Sequence, residues 1–183
     1  MAGGDRTPGI RPRATLSRRL DLAARHAFPT GCTVLLMLLA AAPVIADQAA
    51  LLPAVTIASV YFWSLHRPIA MPPAAVFLIG LLYDLEGYLP LGVGVLSLLI
   101  VHAVAVRWRD PLLRQGFVLN WLALAGIAAG AALLGWTLTA LLSVRLLPFA
   151  PALFQAVLTA ALYPALAMAF AGAHRAIADP ERA

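Results

Sequence analysis

The stretch Gly80-Leu-Leu-Tyr-Asp-Leu-Glu-Gly-Tyr-Leu-Pro-Leu-Gly92 decides the fold, because it sets two carboxylates, Asp84 and Glu86, between long apolar runs. A carboxylate at membrane depth costs roughly 2.5–3.5 kcal/mol on insertion scales, so it usually has a partner or a task. Gly87 and Pro90 are residues at which a helix commonly ends. The stretch therefore predicts a tight turn between two apolar helices.

Two interpretations of the carboxylates stay open. In the first, both mark an outer loop and are wetted by water. In the second, Asp84 faces the helix bundle or a partner and accepts hydrogen bonds from backbone N–H groups between Gly87 and Gly92, which fixes a tight entry into the next helix. Gly80 lies one helical turn before Asp84, on the same face, and would let another backbone approach closely.

The composition excludes an ordinary soluble domain. The chain of 183 residues is 62% hydrophobic and only 11% charged, whereas soluble domains carry about 25% charged residues. Lipid is therefore the expected solvent of most of the chain. The polar segments are too short to hold a soluble catalytic domain.

Six apolar runs of roughly membrane-spanning length follow a basic N-terminal tail. The runs are residues 28–46, 49–65, 71–85, 89–106, 117–143 and 147–173. A helix needs about 20 residues to cross a bilayer. We predict an all-α integral membrane protein with a bundle of six transmembrane helices, in which residues 1–27 form the tail, 28–174 the membrane domain and 175–183 a short second tail. Within the first tail, Leu16 to Ala27 has the pattern of a short interfacial helix.

The basic residues predict the topology. All 13 are arginines, and they stand in short blocks between the apolar runs, a pattern typical of membrane topology and not of nucleic-acid binding. With a cytoplasmic N terminus, twelve arginines fall on the cytoplasmic side and Arg145 alone falls outside. The inner-loop arginines are Arg67, Arg107, Arg109 and Arg114. Both termini are therefore expected in the cytoplasm.

One alternative for the first run stays open. Arg18-Arg19 followed by an apolar stretch resembles a secretory signal. Cleavage after this stretch would leave the topology of the remaining runs unchanged.

The sequence offers little for catalysis, cofactors or metals. It has no lysine, and hence no phosphate-binding Walker lysine, and it contains no HExxH and no GxSxG. Its single cysteine, Cys32, cannot form an internal disulfide. We therefore predict a protein that is not an enzyme and holds no cofactor or metal. The remaining polar side chains near helix ends are expected to serve interfacial or helix-end hydrogen bonding: His66, His102, His174, Asn120 and Gln155.

Gly126-Ile-Ala-Ala-Gly130 is a GxxxG motif in the fifth run. Such motifs let helices approach closely, but they arise often in spans rich in Gly and Ala. We expect the pair to pack against another helix of the same chain. An interface between copies of the chain, giving a homo-oligomer, stays open.

The segment from Tyr61 to about Arg109 resembles the MreD family of rod-shape-determining membrane proteins. The resemblance rests on a series of short motifs in a fixed order: Tyr61-Phe62-Trp63 closing a span, Arg67-Pro68, Gly80-x-x-x-Asp84 after an apolar run, and Pro90-Leu91-Gly92. This segment covers about a quarter of the chain. The length, the six runs and the basic N-terminal tail also suit the family.

The resemblance implies a non-enzymatic scaffold of the bacterial cell-elongation machinery in the inner membrane. Its expected partners are an MreC-like single-span protein, an MreB-like cytoskeleton, and peptidoglycan synthases of the RodA and penicillin-binding types. The candidate partner contacts are Gly80, Asp84, Pro90 and Gly92. MreD proteins are similar in membrane fold to the substrate-binding subunits of energy-coupling-factor vitamin transporters, which gives the alternative function. For a solute, the outer-half candidates are Tyr83, Asp84, Glu86 and Tyr88.

Overall fold

The described chain is helical throughout. The computed structural model describes residues 16–42, 48–87, 90–145 and 147–178, and no strand occurs among them. Its helices are α1 (Leu16–Ala40), α2 (Gln48–His66), a 3-10 turn (Pro68–Ala70), α3 (Pro73–Glu86), α4 (Val93–Arg107), α5 (Arg109–Arg114), α6 (Phe117–Ser143) and α7 (Ala150–Ala178). The prediction of an all-α fold is confirmed. Residues 1–15 and 179–183 of the two tails, and Tyr88, lie outside the described ranges.

The helix boundaries correct the sequence prediction in two places. The expected interfacial helix and first span are one helix, α1, which continues through Pro29. Residues 16–30 contain no glycine and are rich in Leu, Ala and Arg, which favour helix. The region after α4, predicted as a loop, holds the short helix α5, which has Asp110 in its first turn.

Helix α2 is the centre of the bundle. It contacts α1, α3, α4, α6 and α7, and every residue from 52 to 65 is buried. A helix that is apolar on all sides is expected in such a central position. At its C-terminal half, Trp63 meets the rings of Phe28, Phe62 and Phe170 at centroid distances of 5.9, 5.2 and 5.4 Å.

Within the described residues, two outer helices are long and apolar enough to cross a bilayer, namely α6 and residues 150–173 of α7. Three further apolar helical stretches are shorter: Ala27–Ala40, Ala50–His66 and Val93–Arg107. Helix α6 buries only Leu124, Ala128, Ala131 and Ala132. Many of its other apolar side chains are exposed, among them Leu122, Leu133 and Leu141, whereas a helix on the surface of a water-soluble protein exposes mainly polar side chains.

Apolar side chains also cover the outward faces of the other peripheral helices. Their exposed members include Leu35 and Leu39 on α1, Leu78 and Leu85 on α3, Leu122 and Leu141 on α6, and Leu153, Val157 and Met168 on α7. Soluble monomers rarely expose continuous apolar surface of this extent. The outward faces therefore match an apolar solvent.

Candidate functional site

The Asp84 carboxylate ties the end of α3 to the start of α4. Its Oδ2 accepts hydrogen bonds from the backbone N–H groups of Gly92 (2.7 Å) and Val95 (3.3 Å), and its Oδ1 accepts one from Gly94 (2.7 Å). The side chain is only 3% exposed. The expectation that Asp84 accepts hydrogen bonds from backbone N–H groups between Gly87 and Gly92 is confirmed for Gly92. The other two donors, Gly94 and Val95, lie beyond that range.

The geometry explains why a carboxylate is needed here. The first N–H groups of a helix have no partner within it, and the residue before α4 is Gly92, which has no side chain to cap them. Asp84 supplies the missing acceptors from another helix, while Val93 donates to the carbonyl of Pro90 (3.2 Å). A negative charge at a helix N terminus is also favourable to the helix dipole.

Two glycines bring α3 and α4 into close contact around this carboxylate. A Cβ added to Gly80 would lie 2.6 Å from the Cα of Val95, and one added to Gly94 would overlap the Tyr83 ring and the Asp84 carboxylate. Gly92 has a φ of +98°, which side chains with a Cβ adopt only at a cost. The turn therefore needs glycine at three positions for three separate steric reasons.

The four candidate partner contacts thus divide into two kinds. Gly80 and Asp84 are buried, and their atoms are engaged by α4 of the same chain. Gly92 is exposed and Pro90 is half-buried, so this pair remains accessible. Three of the residues on which the resemblance rests therefore join α3 to α4. We call the contact made by Gly80, Asp84 and Gly92 the interhelical lock; the accessible Pro90–Gly92 turn lies beside it.

The GxxxG pair of α6 does not pack as expected. Gly126 and Gly130 are exposed, and a Cβ added to either would meet no described atom within 4 Å. The expectation of packing against another helix of the same chain is therefore wrong for the described residues. A contact with a second chain stays a prediction.

The inner-loop arginines lie at one end of the bundle. Arg109 donates from its Nε to the carbonyl of Leu65 at the C-terminal end of α2 (2.9 Å), close in sequence to Arg67. Arg107 ends α4 and Arg114 ends α5, and both are exposed. The loops that carry these arginines are thus adjacent in space, as a common side of a membrane requires.

Two polar side chains predicted at helix ends instead join helices. His102 is buried, not interfacial, and its Nδ1 lies 2.8 Å from the hydroxyl of Ser64. Asn120 of α6 accepts a short hydrogen bond from the Tyr61 hydroxyl of α2 and donates to Tyr163 Oη of α7 (3.2 Å). In a bilayer, polar contacts of this kind hold helices together. The sequence pattern missed them because their partners are far apart along the chain.

A cavity of about 540 Å³ opens at the end of the bundle that holds the Asp84 turn. Most of its walls are small or apolar. The polar or aromatic members of its lining are Tyr83, Glu86, Ser97, Trp136, Thr139, Phe154 and Gln155. Of the outer-half candidates for a solute, Tyr83 and Glu86 therefore line a real cavity, while Asp84 is occupied by α4. Trp136 and Thr139 were not predicted, since neither belongs to a motif.

No group of three or more potential metal ligands occurs among the described residues. Comparisons of the chain with family models, with curated proteins and with solved structures found no match.

Proposed function

We propose that this chain is a multi-pass inner-membrane scaffold of the MreD type, with six spans and both termini in the cytoplasm, that holds an MreC-like single-span protein for the cell-elongation machinery. The MreB-like cytoskeleton and the RodA-type and penicillin-binding synthases are its expected wider partners. The proposal starts from the resemblance of the segment 61–109. The observation that supports it best is that Gly80, Asp84 and Gly92, three parts of that resemblance, form one interhelical lock.

The lock gives the α3–α4 pair a fixed outward surface. Its exposed apolar side chains are Leu78, Leu81 and Leu85 on α3 and Leu96 and Ile100 on α4. Within each helix these residues are three or four apart, so they form a stripe on one face. In lipid, association of a partner helix depends on such a surface being rigid and closely packed. We assign partner docking to this surface and to the Pro90–Gly92 turn.

The test is co-purification of the tagged chain with an MreC-like partner. Leu78→Trp and Leu85→Trp enlarge exposed side chains of the α3 stripe. Met168→Trp on α7 is the matched control, because the side chains of Leu78, Leu85 and Met168 are all 64–70% exposed. We expect the two α3 variants to recover much less partner and the control to recover the normal amount. Full recovery with both α3 variants would remove this surface from the proposal.

Changes at Gly80 or Asp84 are unsuitable for this test. Gly80→Leu would place a side chain against the α4 backbone, and Asp84→Arg would leave buried N–H groups without acceptors. Lost binding could then reflect lost folding. Both variants belong instead to measurements of stability.

The alternative function, the binding subunit of a vitamin transporter, is favoured by one observation, the cavity that Tyr83 and Glu86 line. A shift in thermal stability with one member of a vitamin panel would support it. A panel without any such shift, together with recovery of an MreC-like partner, would leave the scaffold as the function.

A further inference from the structure

The cavity beside the Asp84 turn has the size and walls of a small-molecule site. Its volume of about 540 Å³ falls in the range of roughly 300–1,000 Å³ that is usual for ligand pockets. The walls come from α2, α3, α4, α6 and α7, and their apolar members include Leu52, Ile57, Leu98, Ala132 and Ala152. Such walls favour a ligand with an apolar body.

The charge of the lining favours a cation. Glu86 is the only charged residue among the described lining residues, and it is exposed. Arg145 is not among the lining residues of the cavity; it lines a second, shallow pocket that shares Trp136 with the cavity. The Asp84 carboxylate is held by three N–H groups at the start of α4. An anionic ligand would therefore meet a negative charge and no lining cation, whereas a cationic ligand would meet a carboxylate.

Trp136 provides a second feature that suits a cation. Its indole N–H donates to the carbonyl of Leu147 (3.1 Å), and its ring meets Phe149 edge-on at 5.6 Å. The indole is thereby fixed in place with part of its surface on the cavity. The face of a Trp ring attracts cations within about 6 Å of its centre.

Thr139 provides a hydrogen-bonding group without a partner. Its hydroxyl is buried and makes no hydrogen bond with any described residue. Most of the other serine and threonine hydroxyl groups on helices with described surroundings donate to a carbonyl three or four residues earlier, as in Thr56 and Ser97. Thr139 is also one of the lining residues of the cavity.

We propose that this cavity binds a small organic cation with an apolar or aromatic body. Glu86 and Trp136 recognise the positive charge, the apolar walls hold the body, and Thr139 offers a hydrogen bond to a ligand that can use one. The inference rests on the cavity and not on the scaffold proposal, since a scaffold and a transporter subunit could each carry such a site.

The test uses two ions of nearly the same shape and opposite charge, tetraphenylphosphonium and tetraphenylborate. Each is titrated into the full chain in an uncharged detergent, and binding is followed by calorimetry and by quenching of tryptophan fluorescence. We expect saturable 1:1 binding of the cation only. Equal binding of the two ions, or no saturable binding of the cation, would overturn the proposal.

Three variants identify the site. Glu86→Gln removes the charge and is expected to weaken cation binding about 5-fold, in line with an exposed ion pair. Asp110→Asn is the control, since Asp110 on α5 is also exposed and lies outside the cavity, and it should have no effect. Gly135→Leu fills the cavity, since a Cβ at this lining position meets no described atom within 4 Å, and should abolish binding. Unchanged affinity in both Glu86→Gln and Gly135→Leu would rule out this cavity. Partner recovery is measured separately, so failure of this inference and failure of the scaffold proposal give different results.

Discussion

The hydroxyl of Ser64 on α2 lies 2.8 Å from Nδ1 of His102 on α4, and both side chains are buried. Each side chain provides the other's hydrogen-bond partner, and a buried polar group without a partner would lower the stability of the fold by about 1–3 kcal/mol. The pair therefore fixes how α4 sits against the central helix. It lies in the half of the bundle where Arg109 reaches the carbonyl of Leu65.

The first prediction concerns this pair. Ser64→Ala and His102→Leu should each lower the free energy of unfolding by about 1–3 kcal/mol, because each leaves a buried partner or a poorly filled space. The double variant should lose less than the sum, with a coupling of about 1 kcal/mol. Chemical denaturation in detergent, followed by tryptophan fluorescence, measures all three. Strict additivity would show that the hydrogen bond contributes nothing to stability.

The second prediction compares the two carboxylates of the turn. Asp84→Asn keeps the size of the side chain but places an amide NH₂ where an N–H group now donates, so we expect a loss of about 1.5–3 kcal/mol in the free energy of unfolding. Glu86→Gln is the control and should change stability by less than about 0.5 kcal/mol, because Glu86 is exposed. Equal losses in the two variants would contradict the interhelical role of Asp84.

The third prediction separates the glycines by their surroundings. Gly80→Ala and Gly94→Ala should destabilise the fold, since each Cβ would meet another residue at less than 3.0 Å. Gly126→Ala and Gly130→Ala should leave stability unchanged or raise it by up to about 1 kcal/mol each, because alanine favours helix and both positions are open. If alanine at Gly126 or Gly130 instead shifts the chain to a smaller species in size-exclusion chromatography, the pair lies between copies of the chain.

The sequence predicted the α3–α4 turn because the reasons for it are local. The positions of Asp84, Gly87 and Pro90 between apolar runs indicated where a helix ends. Of the two interpretations left open for the carboxylates, the one in which Asp84 accepts hydrogen bonds from backbone N–H groups at the next helix matches the structure. The boundaries of α6 at Phe117 and Ser143 were also predicted, since polar residues flank a continuous apolar run.

The pattern failed where the deciding contact is distant along the chain. His102 is polar and near a helix end, so it was assigned to the interface, but it is buried and pairs with Ser64 of another helix. Gly126 and Gly130 match a packing motif, and yet no helix in the described part of the chain covers them. The cavity is formed by α2, α3, α4, α6 and α7 together, so the sequence of any one helix does not indicate it.

The fourth prediction concerns the polar bridge through Asn120. Its side chain serves both Tyr61 and Tyr163, so it joins α6 to α2 and to α7. Asn120→Ala should therefore destabilise the fold more than Tyr163→Phe, which removes one hydrogen bond worth about 1 kcal/mol. Thermal unfolding of the purified variants in one detergent compares them. An equal effect of the two changes would mean that the contact with Tyr61 is dispensable.

The last prediction tests the topology at α6, whose 27 residues are about 40 Å long at 1.5 Å per residue. This exceeds the hydrocarbon thickness of about 30 Å, so Gly116 and Arg145, which flank the helix, should lie on opposite sides of the membrane. Both residues are exposed. A cysteine can replace each of them in a Cys32→Ser background, which removes the only native thiol.

Labelling with a membrane-impermeant maleimide then separates the topologies. With the arginine-rich loops in the cytoplasm, Arg145→Cys should react in intact spheroplasts and Gly116→Cys only after lysis. The reverse result would invert the proposed orientation, and equal labelling before lysis would mean that α6 does not cross the membrane. Helix α3 has only 14 residues, about 21 Å. If it starts at the same cytoplasmic level as α6, its end and the Asp84 turn lie below the outer surface. Backbone N–H groups at that depth would lack water, which is a physical reason for a buried carboxylate at the start of α4.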